Sequence, residues 1–233
     1  MTRVFQATHV GKVRNNNEDA LIVIEPETFV VADGMGGASA GEVASQMLVD
    51  SVKQFLTKNP PPWNEKLLSQ AILLANDKIL NRARLNLELR GMGTTATILS
   101  LDGGTAYFAH VGDSRLYLLR DNNLAQITED HSYVETLVRQ GEITPEEARF
   151  HPMKNVLTQA VGAIAEIEID SSNFPVQSGD IFLLCTDGLT NMVEDELIAE
   201  ILLGASNPAD ALIDAALSNG GKDNVSVIVA GVD

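Results

Sequence analysis

Four short segments between residues 94 and 128 alternate between apolar and polar residues with a period of two. They are Thr94–Leu101, Thr105–Val111, Arg115–Arg120 and Leu124–Thr128. The sequences between them contain Asp-Gly-Gly, Gly-Asp and Asp-Asn-Asn, which favour tight turns. Because connections this short join antiparallel neighbours, the sequence predicts an antiparallel meander.

The remaining elements are grouped around this meander. Further strands are predicted at Thr2–His9, Ala20–Ile24, Thr28–Ala32, Glu166–Asp170, Asp180–Thr186 and Val225–Gly231. Helices are predicted at Ala40–Leu56, Trp63 to about Leu89, Glu194–Leu203 and Pro208–Leu217. Clustered strands and clustered helices favour an α+β fold over βαβ repeats. A four-layer α-β-β-α sandwich, with two antiparallel sheets stacked face to face and helices outside, uses all of these elements.

Composition limits the class of protein. The chain has 233 residues, is 45% hydrophobic and contains neither a linker nor a repeat, so we expect one globular domain over residues 1–233. Its net charge of −16 argues against partners such as nucleic acid or an anionic membrane surface. There is no signal-like N-terminus and no long apolar run, so we expect a cytoplasmic protein. We also expect it to be a monomer.

Two apolar strands are each followed by an Asp-Gly pair. Residues 29–32 lead into Asp33-Gly34, and residues 181–186 lead into Asp187-Gly188. Asp-Gly is a common hairpin turn. Here, however, the sequence after each pair has helical character, so a hairpin does not fit. A carboxylate at a strand end beside a glycine is a suitable cation ligand, and this pattern favours a metal or catalytic role.

Three further acidic sites occur in similar places. Asp113 lies between two meander strands, Asp223 precedes the last strand, and Glu18-Asp19 precedes the strand at Ala20–Ile24. Each acid alone is more typical of a turn. Together, they suggest carboxylates that converge at one end of the sandwich.

Several carboxylates in one cleft cannot all ionise without cations. All-oxygen ligands favour Mg²⁺ or Mn²⁺, and the sequence has no Cys/His pattern typical of Zn²⁺. Two such ions about 3.5–4 Å apart, bridged by one Asp, would activate water and hold phosphate oxygens. Arg14 is the strong cation near this set, and its planar guanidinium fits a phosphate group.

The sequence resembles the bacterial PP2C-type metal-dependent protein phosphatases. Seven ordered motifs carry the resemblance: Arg14 with Asn17-Glu18-Asp19; Val31-Ala32-Asp33-Gly34-Met35-Gly36-Gly37 with Gly41-Glu42 and Ala44-Ser45; Gly91-Met92-Gly93-Thr94-Thr95; Val111-Gly112-Asp113-Ser114-Arg115; Asp130-His131-Ser132; Thr186-Asp187-Gly188-Leu189; and Lys222-Asp223-Asn224-Val225-Ser226. They cover almost the whole chain and match the stand-alone catalytic domain of the family.

The resemblance implies hydrolysis of phosphoserine and phosphothreonine in proteins. A water bridging two metal ions would attack phosphorus in line, without a phosphoenzyme. Asp33 would bridge the two core ions and Gly34 would contribute its carbonyl. By the same resemblance, Asp187 and Asp223 would complete the second ion's ligands, Glu18 and Asp19 would act through metal-bound waters, Asp113 with Asp187 would hold a weaker third ion, and Arg14 would grip the phosphate.

The sequence departs from the family pattern at two positions. Ala38 stands where bacterial members commonly have His, so no proton-transfer role can be carried over there. We assign protonation of the leaving group to a metal-bound water instead. Gln159 stands where Arg is usual, after a polar segment at about 131–162 that matches the family's flap and for which we predict two short helices. The resemblance therefore carries no substrate specificity over to this chain.

Other chemistries fit the sequence less well. Cys185 lies within an apolar run typical of a core position, and the sequence around it lacks the Cys-x₅-Arg pattern of cysteine phosphatases. The glycines at 34–37 match neither a dinucleotide-binding loop nor a P-loop. Two alternatives remain: a non-catalytic pseudophosphatase that binds phosphoproteins, and a metal-dependent hydrolase of small phosphate esters.

Overall fold

The structure of the protein is a computed structural model that describes residues 2–36 and 40–233. Its strands are β1 (Thr2–His9), β2 (Asp19–Ile24), β3 (Thr28–Met35), β4 (Gly93–Thr94), β5 (Ala96–Asp102), β6 (Thr105–Val111), β7 (Arg115–Arg120), β8 (Asn123–Gln126), β9 (Asp170–Pro175), β10 (Ile181–Cys185) and β11 (Val225–Val232). The helices are α1 (Ala40–Lys58), α2 (Glu65–Leu85), α3 (Tyr133–Arg139), α4 (Pro145–Phe150), α5 (Asp187–Thr190), α6 (Asp195–Gly204) and α7 (Pro208–Ser218).

The strands form two antiparallel sheets. One has the order β1-β11-β10-β7-β8, and the other has the order β2-β3-β5-β6-β9, with the short β4 paired to β3. The meander predicted from residues 94–128 is therefore divided, because β5 and β6 belong to one sheet and β7 and β8 to the other.

Alternation of apolar side chains explains the layers. In β3, Phe29 and Val31 face the other sheet, whereas Val30 and Ala32 pack against α1 and α2. In β10, Leu184 lies between the sheets and Leu183 packs toward α5, α6 and α7. Since successive side chains of a strand point to opposite faces, central strands that are apolar on both faces require a layer on each side. The four-layer α-β-β-α sandwich is confirmed.

The strand predicted at Glu166–Asp170 is wrong. The strand β9 begins at Asp170, and residues 170–173 are exposed. Ile167 and Ile169 pack instead against the apolar cluster beneath α1 and α2. Backbone pairing with β6 places β9 in the sheet. Most of its side chains are polar and exposed, so the sequence shows no alternating apolar pattern there.

The second long helix is shorter than predicted. The helix α2 ends at Leu85, where Asn86 starts a 3₁₀ turn over Leu87–Leu89 instead of continuing the helix.

Cys185 is fully buried, as predicted, and burial raises the pKa of its thiol to about 12. Within residues 2–36 and 40–233, no helix combines the length and the apolar character that crossing a bilayer requires.

Candidate metal and phosphate site

The pairing of β2 with β3 brings the carboxyl groups of Asp19 and Asp33 together. They are direct partners in the antiparallel ladder of β2 and β3, so both side chains leave the same face of the sheet. We predicted that the strand ends at Ala32 and delivers Asp33 beyond it. That boundary is wrong, because β3 continues through Asp33 and Gly34 to Met35, where it pairs with β4.

The two oxygens of Asp19 have different surroundings. Its Oδ2 accepts hydrogen bonds from Thr186 Oγ1 at 2.9 Å and Ser226 Oγ at 2.7 Å. Its Oδ1 is buried and has no hydrogen-bond partner among the described residues. Burial, the largest cause, raises the pKa of Asp19 to about 7 in spite of these two hydrogen bonds. A buried carboxylate oxygen with no donor is suited to an ion or an ion-bound water.

Asp187 is the first residue of α5, as the Asp-Gly pattern implied. Its Oδ2 accepts a hydrogen bond from Asn191 Nδ2 at 2.9 Å, one helical turn further on. Burial raises the pKa of Asp187 to about 6, the negative charge of Asp223 adds to the rise, and Lys154 partly offsets it. The site therefore draws on a cation, Lys154, and an amide, Asn191, to which we had assigned no role.

Asp223 and Arg14 contact each other through their side chains. Arg14 Nη2 donates to Asp223 Oδ2 at 2.8 Å, although 209 positions separate the two residues. This hydrogen bond raises the pKa of Arg14, so the guanidinium stays charged. About half of the Arg14 side chain is exposed, which leaves N–H groups free for an anion.

Asn224 positions the loop that carries Arg14 and Glu18. Its Nδ2 donates to the carbonyls of Val10 and Asn16, both at 2.9 Å, and its Oδ1 accepts from Glu18 N at 2.8 Å. We had quoted Asn224 only as part of a motif. Its place in a polar loop beside Asp223 was the only sequence signal for this role, because its partners lie more than 200 positions away.

Electrostatics identifies the centre of the site. Burial raises the pKa of Asp33 well above its usual value, and the charges of Asp19, Asp187, Asp113 and Asp223 raise it further. Burial likewise raises the pKa of Asp113, with a contribution from Asp187. The structure thus brings the predicted carboxylates into mutual range, and their charges repel one another in the absence of cations.

Gly34 allows the N-terminus of α1 to approach β3. Gly34 N donates to Glu18 O at 3.1 Å, and Ser45 Oγ donates to the same carbonyl at 2.6 Å. A Cβ on Gly34 would lie 2.1 Å from the Gly41 carbonyl oxygen and 2.5 Å from that of Glu18. Only glycine fits here, so its backbone can stand close to the carboxylates. Ala38, the departure noted above, lies outside the described residues.

Residues 131–162, which we call the flap, contain the two expected helices, α3 and α4. His131 connects the start of the flap to the sheet: its Nδ1 accepts from Gly112 N at 3.3 Å and its Nε2 lies 3.2 Å from Asp170 Oδ2. Gln159 accepts from Glu168 N through its side chain, outside the carboxylate set.

A cleft of about 710 Å³ is lined on one side by the flap and on the other by α5 and the start of α6. Asp113, Asp187 and Asp223 line one part of it, and flap residues such as Arg149 and Lys154 line another. Among residues 2–36 and 40–233, no group of three Asp, Glu, His or Cys side chains is arranged so that it could hold a metal ion by itself. The side chains alone therefore do not complete a site, which leaves room for carbonyl and water ligands.

Comparisons with known proteins identify the family of this chain and match its fold. A sequence model of the family described as "Protein phosphatase 2C" matches residues 8–218. A protein named "Serine/threonine phosphatase stp" from Listeria welshimeri is 41% identical over 233 residues, covering 95% of this chain and 92% of its own length. The crystal structure of the Mycobacterium tuberculosis serine/threonine phosphatase PstP/Ppp has a TM-score of 0.92 and 39% identity, covering 100% of this chain and 99% of that one.

A further solved structure contains metal. It is the catalytic domain of the serine/threonine protein phosphatase PstP in complex with two manganese ions. It has a TM-score of 0.91 and 39% identity, and it covers 100% of this chain and 99% of that one.

The chain belongs to the protein phosphatase 2C family. The enzyme class predicted from the sequence, protein serine/threonine phosphatase, is confirmed.

Proposed function

We propose that the described carboxylates hold Mg²⁺ or Mn²⁺ and that the enzyme hydrolyses phosphoserine and phosphothreonine in proteins. The observation that carries the proposal is the position of Asp33, which is the cross-strand partner of Asp19 and lies within range of the charges of Asp187, Asp113 and Asp223. The two manganese ions in the related PstP catalytic domain support the choice of cation.

The residues fit hard divalent cations. All the proposed donors are oxygens, the ligand type that Mg²⁺ and Mn²⁺ prefer. The orphaned Oδ1 of Asp19 and the raised pKa of Asp33 both indicate missing positive charge. Bound cations would remove the repulsion between the carboxylates and allow them to ionise near neutral pH.

The individual roles proposed here are those that the family resemblance implies. Asp33 and the carbonyl of Gly34 would hold the two core ions, and Asp187 and Asp223 would hold the second of them. Asp19 contributes through its free Oδ1 to an ion-bound water, because its Oδ2 is already used by Thr186 and Ser226. Glu18 acts in the same indirect way. Asp113 and Asp187 would hold a third, weaker ion.

Arg14 binds the phosphate. Its contact with Asp223 fixes the direction of the guanidinium and leaves other N–H groups exposed. A planar guanidinium can hold two phosphate oxygens at once and so orient the phosphorus for attack.

The reaction is direct transfer of the phosphoryl group to water. Divalent cations at such a site lower the pKa of bound water and neutralise charge on the phosphate oxygens. A water oxygen forms a bond to phosphorus opposite the ester oxygen, the ester bond breaks, and the alkoxide leaving group takes up a proton from water, so that the products are an alcohol and inorganic phosphate. Cys185 does not act as a nucleophile, because it is buried in the core and its thiol has a raised pKa.

The test is phosphate release from a phosphothreonine peptide in the presence of Mn²⁺, of Mg²⁺ or of EDTA. We expect release with either metal, loss in EDTA and recovery when Mn²⁺ is added back. Asp33→Asn, purified and shown to be folded, is the inactive control. Binding of the phosphopeptide without release would favour the pseudophosphatase, and release from small esters alone would favour the small-ester hydrolase.

A further inference from the structure

Two cations of the flap reach α5, the short helix that begins with Asp187. Arg149 Nη2 donates to the Thr190 carbonyl at 3.5 Å, and its guanidinium also pairs with Glu194. Lys154 Nζ donates to Asn191 Oδ1 at 2.7 Å. The flap is therefore attached to the element that carries a candidate metal ligand.

Asn191 connects Lys154 to Asp187. Its Oδ1 accepts from Lys154, and its Nδ2 donates to Asp187 Oδ2 at 2.9 Å. Its own backbone is fixed as well, because Asn191 N donates to the Asp187 carbonyl at 2.8 Å. The amide thus lies between two partners and cannot turn freely.

The hydrogen-bonding groups of Lys154 and Asp187 fix the orientation of the Asn191 amide. An ammonium group has three donors and no acceptor, whereas an ionised carboxylate only accepts. An Asn amide has one carbonyl and one NH₂ group, so a single orientation satisfies both partners. Lys154 selects the orientation that turns the NH₂ group of Asn191 toward Asp187.

We propose that Lys154 is a positioning residue that, through Asn191, orients the Asp187 carboxylate for metal binding and ties the flap to α5. This inference rests on the proposed role of Asp187 as a metal ligand. Partners that orient a ligand from outside the metal's own shell strengthen its affinity for the metal. Because such coupling is reciprocal, metal binding also stabilises the attached flap.

The positions of these groups support the same role. Lys154 Nζ contacts Asn191, and Asn191 contacts Asp187, so the ammonium acts on the carboxylate only through the amide.

The first experiment measures flap attachment in the metal-free protein. Hydrogen exchange is followed at flap amides that are bonded within the flap, such as Lys154 N to His151 O and Val156 N to Met153 O. Lys154→Met should speed this exchange about tenfold, whereas Lys154→Arg should retain most of the protection. Lys78→Met is the matched control, since Lys78 Nζ donates to another amide oxygen, Gln54 Oε1, at 3.3 Å between α1 and α2.

The second experiment measures Mn²⁺ affinity by calorimetry. Lys154→Met and Asn191→Leu should each weaken binding about tenfold, and Lys78→Met should leave it unchanged. Since both residues act through one path, Lys154→Met should cause no further loss in the Asn191→Leu background. That non-additivity is a result that a direct contact of Lys154 with substrate would not produce.

The outcomes separate this inference from the proposed function. Unchanged flap exchange and unchanged Mn²⁺ affinity in Lys154→Met would overturn the positioning role. Fully additive losses in the double variant would also overturn it, because Lys154 would then act independently of Asn191. Absence of Mn²⁺ binding by the wild-type protein would instead overturn the proposed function, and the metal-free exchange measurement would still decide whether Lys154 holds the flap.

Discussion

Asp19 and Asp33 are cross-strand partners in the β2–β3 ladder. Like charges in this arrangement destabilise a sheet, and neither residue has a cationic side chain as its hydrogen-bond partner in residues 2–36 and 40–233. Burial raises the pKa of both carboxyl groups, and the charge of Asp19 adds to the rise at Asp33. The fold thus holds two mutually repelling carboxyl groups at the position where we propose the metal ions.

Asp33→Asn should abolish turnover and stabilise the metal-free protein. The amide cannot ionise, so it removes repulsion from Asp19 and Asp187 while leaving the shape of β3 intact. We expect activity to fall more than about a hundredfold. In EDTA, each 1 kcal/mol of relief should raise Tm by about 2–4 °C for a chain of this size. A Tm below that of the wild type in EDTA would show that Asp33 serves the fold and would contradict a role limited to metal binding.

Stability of the metal-free protein should rise as the pH falls from about 7.5 to 6. The pKa of Asp19 is about 7 in the folded state and near 3.9 in an unfolded chain, so the folded state binds the extra proton in this range. This contribution is complete below the unfolded value and is lost as the pH rises through about 7. Asp187, with a pKa of about 6, adds the same trend at lower pH.

The matched comparison for this pH effect is Asp19→Asn in EDTA, measured by thermal unfolding across the same range. Burial lowers the pKa of His110 to about 4, which opposes the trend below about pH 6.5, and the variant retains that residue. The difference in Tm between the two proteins should therefore become smaller as the pH falls. A difference that does not change with pH would count against a raised pKa at Asp19.

Metal should reverse the pH trend in the wild-type protein. Mn²⁺ binds the ionised carboxylates, so protons compete with it. The rise in Tm caused by saturating Mn²⁺ should be larger at about pH 8 than at about pH 6. An equal rise at both values would indicate that the metal binds elsewhere.

Runs of β-branched and other apolar residues predicted most of the strands, because the central strands are buried on both faces. This signal failed at β9, where residues 170–173 are exposed and backbone pairing with β6 places them in the sheet. It also shortened β3, because Asp33 is polar although its backbone continues the ladder. Side-chain hydrophobicity does not report such backbone pairing.

The candidate site was predictable to the extent that its residues lie in short motifs. In the structure, the charges of Asp19 and Asp187 act on Asp33. Asn191 carried a usable signal, since it follows Asp187 by four positions in helical sequence. Lys154 carried none, because 37 positions separate it from Asn191 and only the folded flap brings the two together.

Arg14→Ala should raise KM more than it lowers kcat. If Arg14 binds the phosphate equally in the ground state and the transition state, its loss weakens binding without changing the chemical step. We expect KM for a phosphothreonine peptide to rise about tenfold. Arg14→Lys should recover part of this loss, because an ammonium keeps the charge but not the planar fork. An unchanged KM in Arg14→Ala would contradict the phosphate-binding role.

Gly34→Ala should destabilise the protein even though it removes no contact. The added Cβ would lie 2.1 Å from the Gly41 carbonyl oxygen, so β3 and the start of α1 would have to separate. Overpacking of this kind costs about 3 kcal/mol, which corresponds to a fall in Tm of about 6–12 °C. Gly204→Ala is the matched control, because it lies at the end of α6 with nothing within 4 Å of its added Cβ, and Ala favours helix. Equal Tm values for the two variants would show that the close approach of Gly34 and Gly41 is not required by the fold.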